Sequence, residues 1–95
     1  MEGQIRRVFG KDADLAIRVS WAENGSRKCD RVSPMNTNGT YDYGVFQINS
    51  VHMKKGYTEA DLTDCLRNIQ IAYEIFKRQG FEPWVAYRNG NWKRY

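Results

Sequence analysis

No run of apolar residues in the chain approaches the ~20 needed to cross a bilayer, which excludes a membrane-spanning segment and stable membrane insertion. The opening stretch Met1-Glu2-Gly3-Gln4-Ile5-Arg6-Arg7 also lacks the apolar core of a signal peptide. Cysteine is scarce: Cys29 and Cys65 are too few and too far apart for a zinc site, and there is no Cys-x-x-Cys. They are either one disulfide, worth roughly 3–4 kcal/mol for the loop it would close, or two buried thiols. The single histidine, His52, has no Ser, Cys or second His at a suggestive spacing and is assigned no catalytic role. Internal repeats, low-complexity tracts and Pro/Gly/Ser-rich linkers are absent, so nothing divides the chain.

What remains is 95 residues, enough for one compact domain over 1–95 with one core. The net charge of +4 favours an anionic partner. Its 15 basic residues are scattered as pairs such as Arg27-Lys28, Lys54-Lys55 and Lys77-Arg78. Without a basic stripe or a nucleic-acid-binding motif, a nucleic-acid partner is not expected.

Periodicity predicts a first helix after Gly10, with Asp12 or Asp14 near its start and Leu15, Val19 and Ala22 on one face, stopping at Asn24-Gly25. A polar, turn-rich insert follows, and Asn38-Gly39 before the β-prone Tyr41–Ile48 run signals a hairpin turn. Thr58 reads as the cap of a short helix. The strongest helix is expected from about Cys65 to Gln79, with Leu66, Ile69, Tyr73 and Phe76 inward and Gly80 as its stop. Pro83 suits the first position of a last short helix. The acidic run Glu59, Asp61 and Asp64 has no calcium-loop spacing and reads as a solvated helix start. Neither a metal nor a cofactor is expected.

Glu23 continues the Leu15 and Val19 stripe and sits at a helix C-terminus, where burial and the macrodipole both raise a carboxyl pKa. A carboxyl still protonated near neutral pH is what a general acid needs. The alternative is a side chain that reaches into solvent at a frayed helix end. Asp42 lies just after the predicted turn, where Asn36 and Asn49 are placed to donate hydrogen bonds to its ionised form. Two carboxyls in contrasting surroundings form the acid and nucleophile pair of retaining glycosidases, although an isolated Asp beside a turn more often caps backbone groups.

Four segments, in order, resemble c-type lysozymes: Trp21-Ala22-Glu23-Asn24, Asn36-Thr37-Asn38-Gly39-Thr40-Tyr41-Asp42, the Gly-x-x-Gln-Ile-Asn run within Tyr43–Ser50, and Trp84-Val85-Ala86-Tyr87-Arg88-Asn89. The resemblance implies an α+β, mainly α, lysozyme-like fold with a short β-hairpin beside an active-site cleft. It also implies Glu23 as general acid, Asp42 as nucleophile or stabiliser, Trp84 as the wall of the Glu23 pocket, and Gln47 and Asn49 at the cleft floor. Asn36 and Tyr43 would stand behind the carboxylates. The implied substrate is a peptidoglycan glycan strand, cut by a monomer between N-acetylmuramic acid and N-acetylglucosamine. The chain is shorter than a c-type lysozyme, with two cysteines where that family has many and part of the β wing missing. Its Gly-x-x-Gln-Ile core and Ala86-Tyr87-Arg88-Asn89-Gly90 ending also resemble lytic transglycosylases and goose-type lysozymes, in which the Glu often works alone and the Tyr matching Tyr87 contacts it. A lytic transglycosylase giving 1,6-anhydromuramic acid ends, or a non-catalytic peptidoglycan-binding module, are the alternatives. Action at the bacterial wall, outside the cytoplasm, is implied; without a signal peptide, a phage endolysin, an excised domain or an engineered protein are the open sources.

Overall fold

A computed structural model describes residues 1–95. Its first helix, α1 (Glu2–Phe9), precedes the one expected after Gly10. Only Ile5 and Phe9, four residues apart, are buried, and Arg6 and Arg7 face solvent. Two inward positions in a charged octet make a thin periodic signal, yet they are enough to dock α1 on its neighbours. Phe9 ends among Phe46, Tyr73, Phe76 and Phe81, with ring centroids 5.1–6.2 Å away. Burying such a ring is worth about 1.5–3 kcal/mol.

A 3₁₀ turn (Gly10–Asp12) leads into α2 (Ala13–Glu23), the helix expected there. Its buried residues are Ala13, Ala16, Ile17, Val19 and Ser20, whereas Leu15 and Ala22 lie half-buried at the edge of the face. The centre of that face runs through Ala16, Val19, Ser20 and Glu23, so the inward direction expected for Glu23 holds although two of the stripe residues move aside. α2 packs against α1 and against a C-terminal 3₁₀ turn (Asn91–Arg94).

The Asn38-Gly39 turn forms: Gly39 N–H donates to Asn36 O, and Ser33 and Gly44 N–H donate to Asp42 O and Arg31 O on either side of it. The regular sheet lies one step further on. β1 (Asp42–Tyr43) pairs antiparallel with β2 (Ile48–Asn49), Asp42 opposite Asn49, around the turn at 44–47.

A 3₁₀ helix (Ser50–Lys55), capped by Asn49, and α3 (Glu59–Thr63) follow. Thr58 and Asp61 form a reciprocal capping box on α3, and Asp64 caps the next helix, so two of the three acidic residues there serve helix starts. α4 (Cys65–Gln79) has the expected bounds, with Lys77 and Arg78 in its last turn. Of the residues expected inward, Ile69 is buried and Tyr73 and Phe76 are half-buried against the core, whereas Leu66 is 40% exposed and Asn68, Ile71, Ala72 and Ile75 complete the buried face. Leu66 stands about 120° round the helix from Ala72, and the face pivots instead on the Cys65 side. There Cys65 forms a disulfide with Cys29, Cα atoms 4.9 Å apart, tying the loop after α2 to the start of α4. Pro83 is not the first residue of the last helix, α5 (Val85–Arg88); it lies in the turn before Trp84, which is the N-cap. Fold class is therefore mainly helical with one small antiparallel sheet.

Candidate active site

Two buried asparagines lock the hairpin in place. Asn68, on α4, accepts the Phe46 N–H at 2.9 Å and donates to Tyr43 O at 2.8 Å and Leu62 O at 2.7 Å. Asn24, the residue after α2, donates to Lys28 O and Gly44 O at 2.8 and 3.0 Å and accepts from Ser26 Oγ. Both side chains are fully buried and offset their desolvation with multiple bonds. Gly44 carries a φ of 78° at the meeting point of these clamps, and a Cβ there would stand 2.3 Å from both Asn68 Nδ2 and Leu62 O. Only glycine fits.

Glu23 and Asp42 therefore face one groove of about 340 Å³, which Gln47, Asn49, Asn36 and Trp84 also line. Glu23, the last residue of α2, is half-buried, and its Oε1 accepts the Ala86 N–H of α5 at 3.0 Å. Its pKa is raised, chiefly by burial. The Ala86 N–H opposes the shift, the Asp42 charge adds to it, and Arg88 and Arg31 oppose it. Arg31 also donates to the Glu23 backbone carbonyl at 3.1 Å, holding the end of the helix. Neither arginine stood out in sequence: Arg31 lies outside the resembling segments, and Arg88, although within one, was given no role there.

Asp42 sits in a different setting. Its Oδ2 accepts from Asn36 Nδ2 at 3.2 Å and its Oδ1 from Asn49 Nδ2 at 3.1 Å, the two donors anticipated from the sequence. Asn49 is its cross-strand partner. One carboxyl is thus half-buried with a single hydrogen-bond donor, the other held by two amides.

Trp84 is 5% exposed; its indole N–H donates to Phe46 O at 2.9 Å and its ring packs edge-on against Phe46, so one edge forms the groove wall while the rest is core. Gln47 adopts a φ of 49°, rare for a residue with a side chain, and its amide donates to Gly44 O at 2.9 Å. That bond turns Gln47 back on its own turn while it lines the groove.

Tyr43 and Tyr87 stand elsewhere. Tyr43 is a buried core residue whose carbonyl receives Asn68, and it does not line the groove. Tyr87 stacks between Phe81 and Trp92, with centroids 5.7 and 6.2 Å away, and lines a separate depression beside Trp92 and Lys93. The aromatic partners on the C-terminal side draw it away from Glu23. His52, given no role from sequence, does line the groove, together with Ile48, Ile75, Pro83 and Val85. Its pKa is lowered by burial and then by Lys55 and Arg78. No local spacing marks it, because the 3₁₀ helix that presents it begins only after the motif.

The lysozyme like domain family matches residues 7–86. The lysozyme of Galleria mellonella is 33% identical over 90% of this chain and 80% of its own length. That of Hyalophora cecropia is 32% identical over 90% and 70%, and lysozyme c-1 of Anopheles gambiae is 32% identical over 81% and 62%. With a helix-borne Glu and a hairpin-borne Asp facing one groove, and a match that spans both, the chain belongs to the lysozyme-like family.

Proposed function

We propose that the groove binds a glycan strand of bacterial peptidoglycan and hydrolyses the β-1,4 bond between N-acetylmuramic acid and N-acetylglucosamine. The observation that carries this reading is the pair of carboxyls in opposed settings within one groove: Glu23 with its pKa raised by burial, Asp42 held by two amide donors. The relatives that bear the name lysozyme support the same reading.

Glu23 in its protonated form donates to the glycosidic oxygen as the bond breaks, worth about 10²–10⁴-fold in rate for such a group. Asp42, an acceptor with both oxygens already directed by Asn36 and Asn49, faces the oxocarbenium-like carbon as nucleophile or stabiliser. Glu23, then a carboxylate, takes a proton from the incoming water. Arg31 and Arg88 stabilise that ionised stage. The chain acts on the wall as a monomer.

A lytic transglycosylase uses the muramic acid 6-hydroxyl in place of water and has no need of a held second carboxylate, so the Asp42 cradle favours hydrolysis. Digestion of purified peptidoglycan followed by mass spectrometry separates the readings. Reducing muramic acid ends, lost in Glu23→Gln and strongly reduced in Asp42→Asn, are expected. Anhydro ends that survive Asp42→Asn establish the transglycosylase, and wall binding without cleavage establishes a binding module.

A further inference from the structure

One rim of the groove carries charge that the cleavage reaction does not use. The 3₁₀ helix (Ser50–Lys55) brings His52 to the groove, and Lys55, three residues on, stands on the same side of that helix. α4 meets the groove through Ile75, and Arg78, three residues on, is its neighbour on the helix surface. Both cations are exposed, and neither lines the groove itself. They converge on one place, since both charges act on His52.

Neither cation has a carboxylate of its own. The ion pairs of the molecule are Arg6 with Asp14, Arg67 with Asp61 and Lys77 with Glu74, so the acid one turn before Arg78 is engaged elsewhere. Lys55 and Arg78 each lie in the last turn of a helix, where the macrodipole favours a cation, and this accounts for either charge alone. It does not account for two cations, from separate helices, meeting at one rim without a counter-ion. The carboxyls of the groove, Glu23 and Asp42, line its interior and are committed to the reaction.

The N-acetylated sugars of a peptidoglycan strand are uncharged, and its carboxylates are borne on muramic acid. In an intact strand the lactyl carboxyl is spent in the amide that joins the stem peptide, so the free carboxylates lie on that peptide and project away from the sugars. Cations outside the groove but beside it are placed to meet them. We propose that Lys55 and Arg78 are a docking point for stem-peptide carboxylates, so that the protein selects peptide-bearing strands over bare glycan. The proposal rests on the peptidoglycan reading above. Exposed charge pairs are individually weak, worth about two- to threefold in affinity each and about fivefold together. The contact is remote from the bond that breaks, so it acts on KM and leaves kcat unchanged.

The test uses soluble glycan strands of matched length, freed of wall phosphate polymers, either peptide-bearing or stripped of peptide by an amidase. Dissociation constants are measured in a Glu23→Gln background, which keeps the strands whole, for the parent, Lys55→Gln/Arg78→Gln and the charge-conserving Lys55→Arg/Arg78→Lys. The parent is expected to bind peptide-bearing strands about fivefold more tightly than stripped ones, and high salt should erase the preference. The glutamine pair should lose the preference while its affinity for stripped strands stays within about twofold, and the charge-conserving pair should keep it. With Glu23 restored, the same fivefold difference should appear in KM at equal kcat. Equal affinity of the parent for both strands overturns the docking point, as does a preference that survives in the glutamine pair. An equal loss on both strands also overturns it, because stripped strands keep the lactyl carboxylate and the cations would then read that group or the wall's charge in general. Peptide-selective binding without cleavage by wild type leaves the docking point standing and overturns hydrolysis; binding to neither strand overturns the peptidoglycan reading and this role with it.

Discussion

Replacing Gly44 by alanine adds one methyl group at the point where α4, α3 and the hairpin converge, and the structure sets the size of the penalty. The backbone there has a φ of 78°, a region that costs a residue bearing a Cβ about 1–2 kcal/mol. The new Cβ would also lie 2.3 Å from Asn68 Nδ2 and from the Leu62 carbonyl oxygen. The carbonyl belongs to the backbone of α3 and cannot swing aside, so the hairpin or Asn68 must move. Displacing Asn68 weakens three buried bonds, each worth about 0.5–1.5 kcal/mol net and more if a partner is left unpaired. A total of about 3–5 kcal/mol follows, or at least about 12 °C in Tm for a domain of this size. Gly39→Ala is the control: its φ of 82° imposes the same conformational cost, but nothing lies within 4 Å of the added methyl. Urea unfolding followed by circular dichroism, with the disulfide intact, reads both variants. The loss for Gly44→Ala should exceed that for Gly39→Ala by about 2 kcal/mol or more. Equal losses would refute the claim that close packing at Gly44 locks the hairpin. Because Asp42 and Gln47 flank this turn, the Gly44 variant should also lose activity at temperatures where it remains folded.

Glu23→Gln carries a stability signature as well as a catalytic one. The folded-state pKa of Glu23 is raised above its ordinary value of 4.5, so the group favours folding fully below pH 4.5 and this contribution is lost as pH rises through the folded value. The glutamine variant should therefore gain in urea midpoint relative to wild type between pH 4 and pH 8, and a difference that does not change with pH would refute the burial argument. Removing the Cys29–Cys65 link in a double serine variant releases a loop with a sequence separation of 36. Loop entropy then predicts a loss of about 4 kcal/mol, measured by the same unfolding experiment, and a loss below about 1 kcal/mol would show that the unfolded chain gains little freedom.

Helix boundaries were legible where local chemistry stated them. Lys77, Arg78 and Gly80 marked the end of α4, and Thr58 the cap of α3. Which face turns inward was less legible, because side-chain type and direction disagree at Leu66: an apolar residue one step off the buried face reads as core, while Asn68, fully buried, reads as surface. Asn68 is buried because its partners are backbone groups of the 43–46 turn and of Leu62, contacts that no periodicity encodes. α1 was missed for the opposite reason, since its two buried residues are outnumbered by charges.

The site divides along the same line. The cradle of Asp42 was readable because all its donors lie within a few residues of the turn: Asn36 is 6 positions away and Asn49 is 7. The setting of Glu23 was readable only in sign. Sequence placed it on the inward face of a helix end, and burial is indeed the main cause of its raised pKa, but the Ala86 N–H that moderates the shift comes from 63 residues away. Arg31 and Arg88 moderate it further from two more segments. A general acid needs that moderation. In the proposed reaction burial alone would oppose release of the proton from Glu23, and the Ala86 N–H with the Arg31 and Arg88 charges would stabilise the carboxylate left behind. The segment 84–86 therefore meets the site twice, with Trp84 lining the groove and the Ala86 N–H donating to Glu23 Oε1, whereas Tyr87, the residue there that the motif pointed to, packs into a separate aromatic stack.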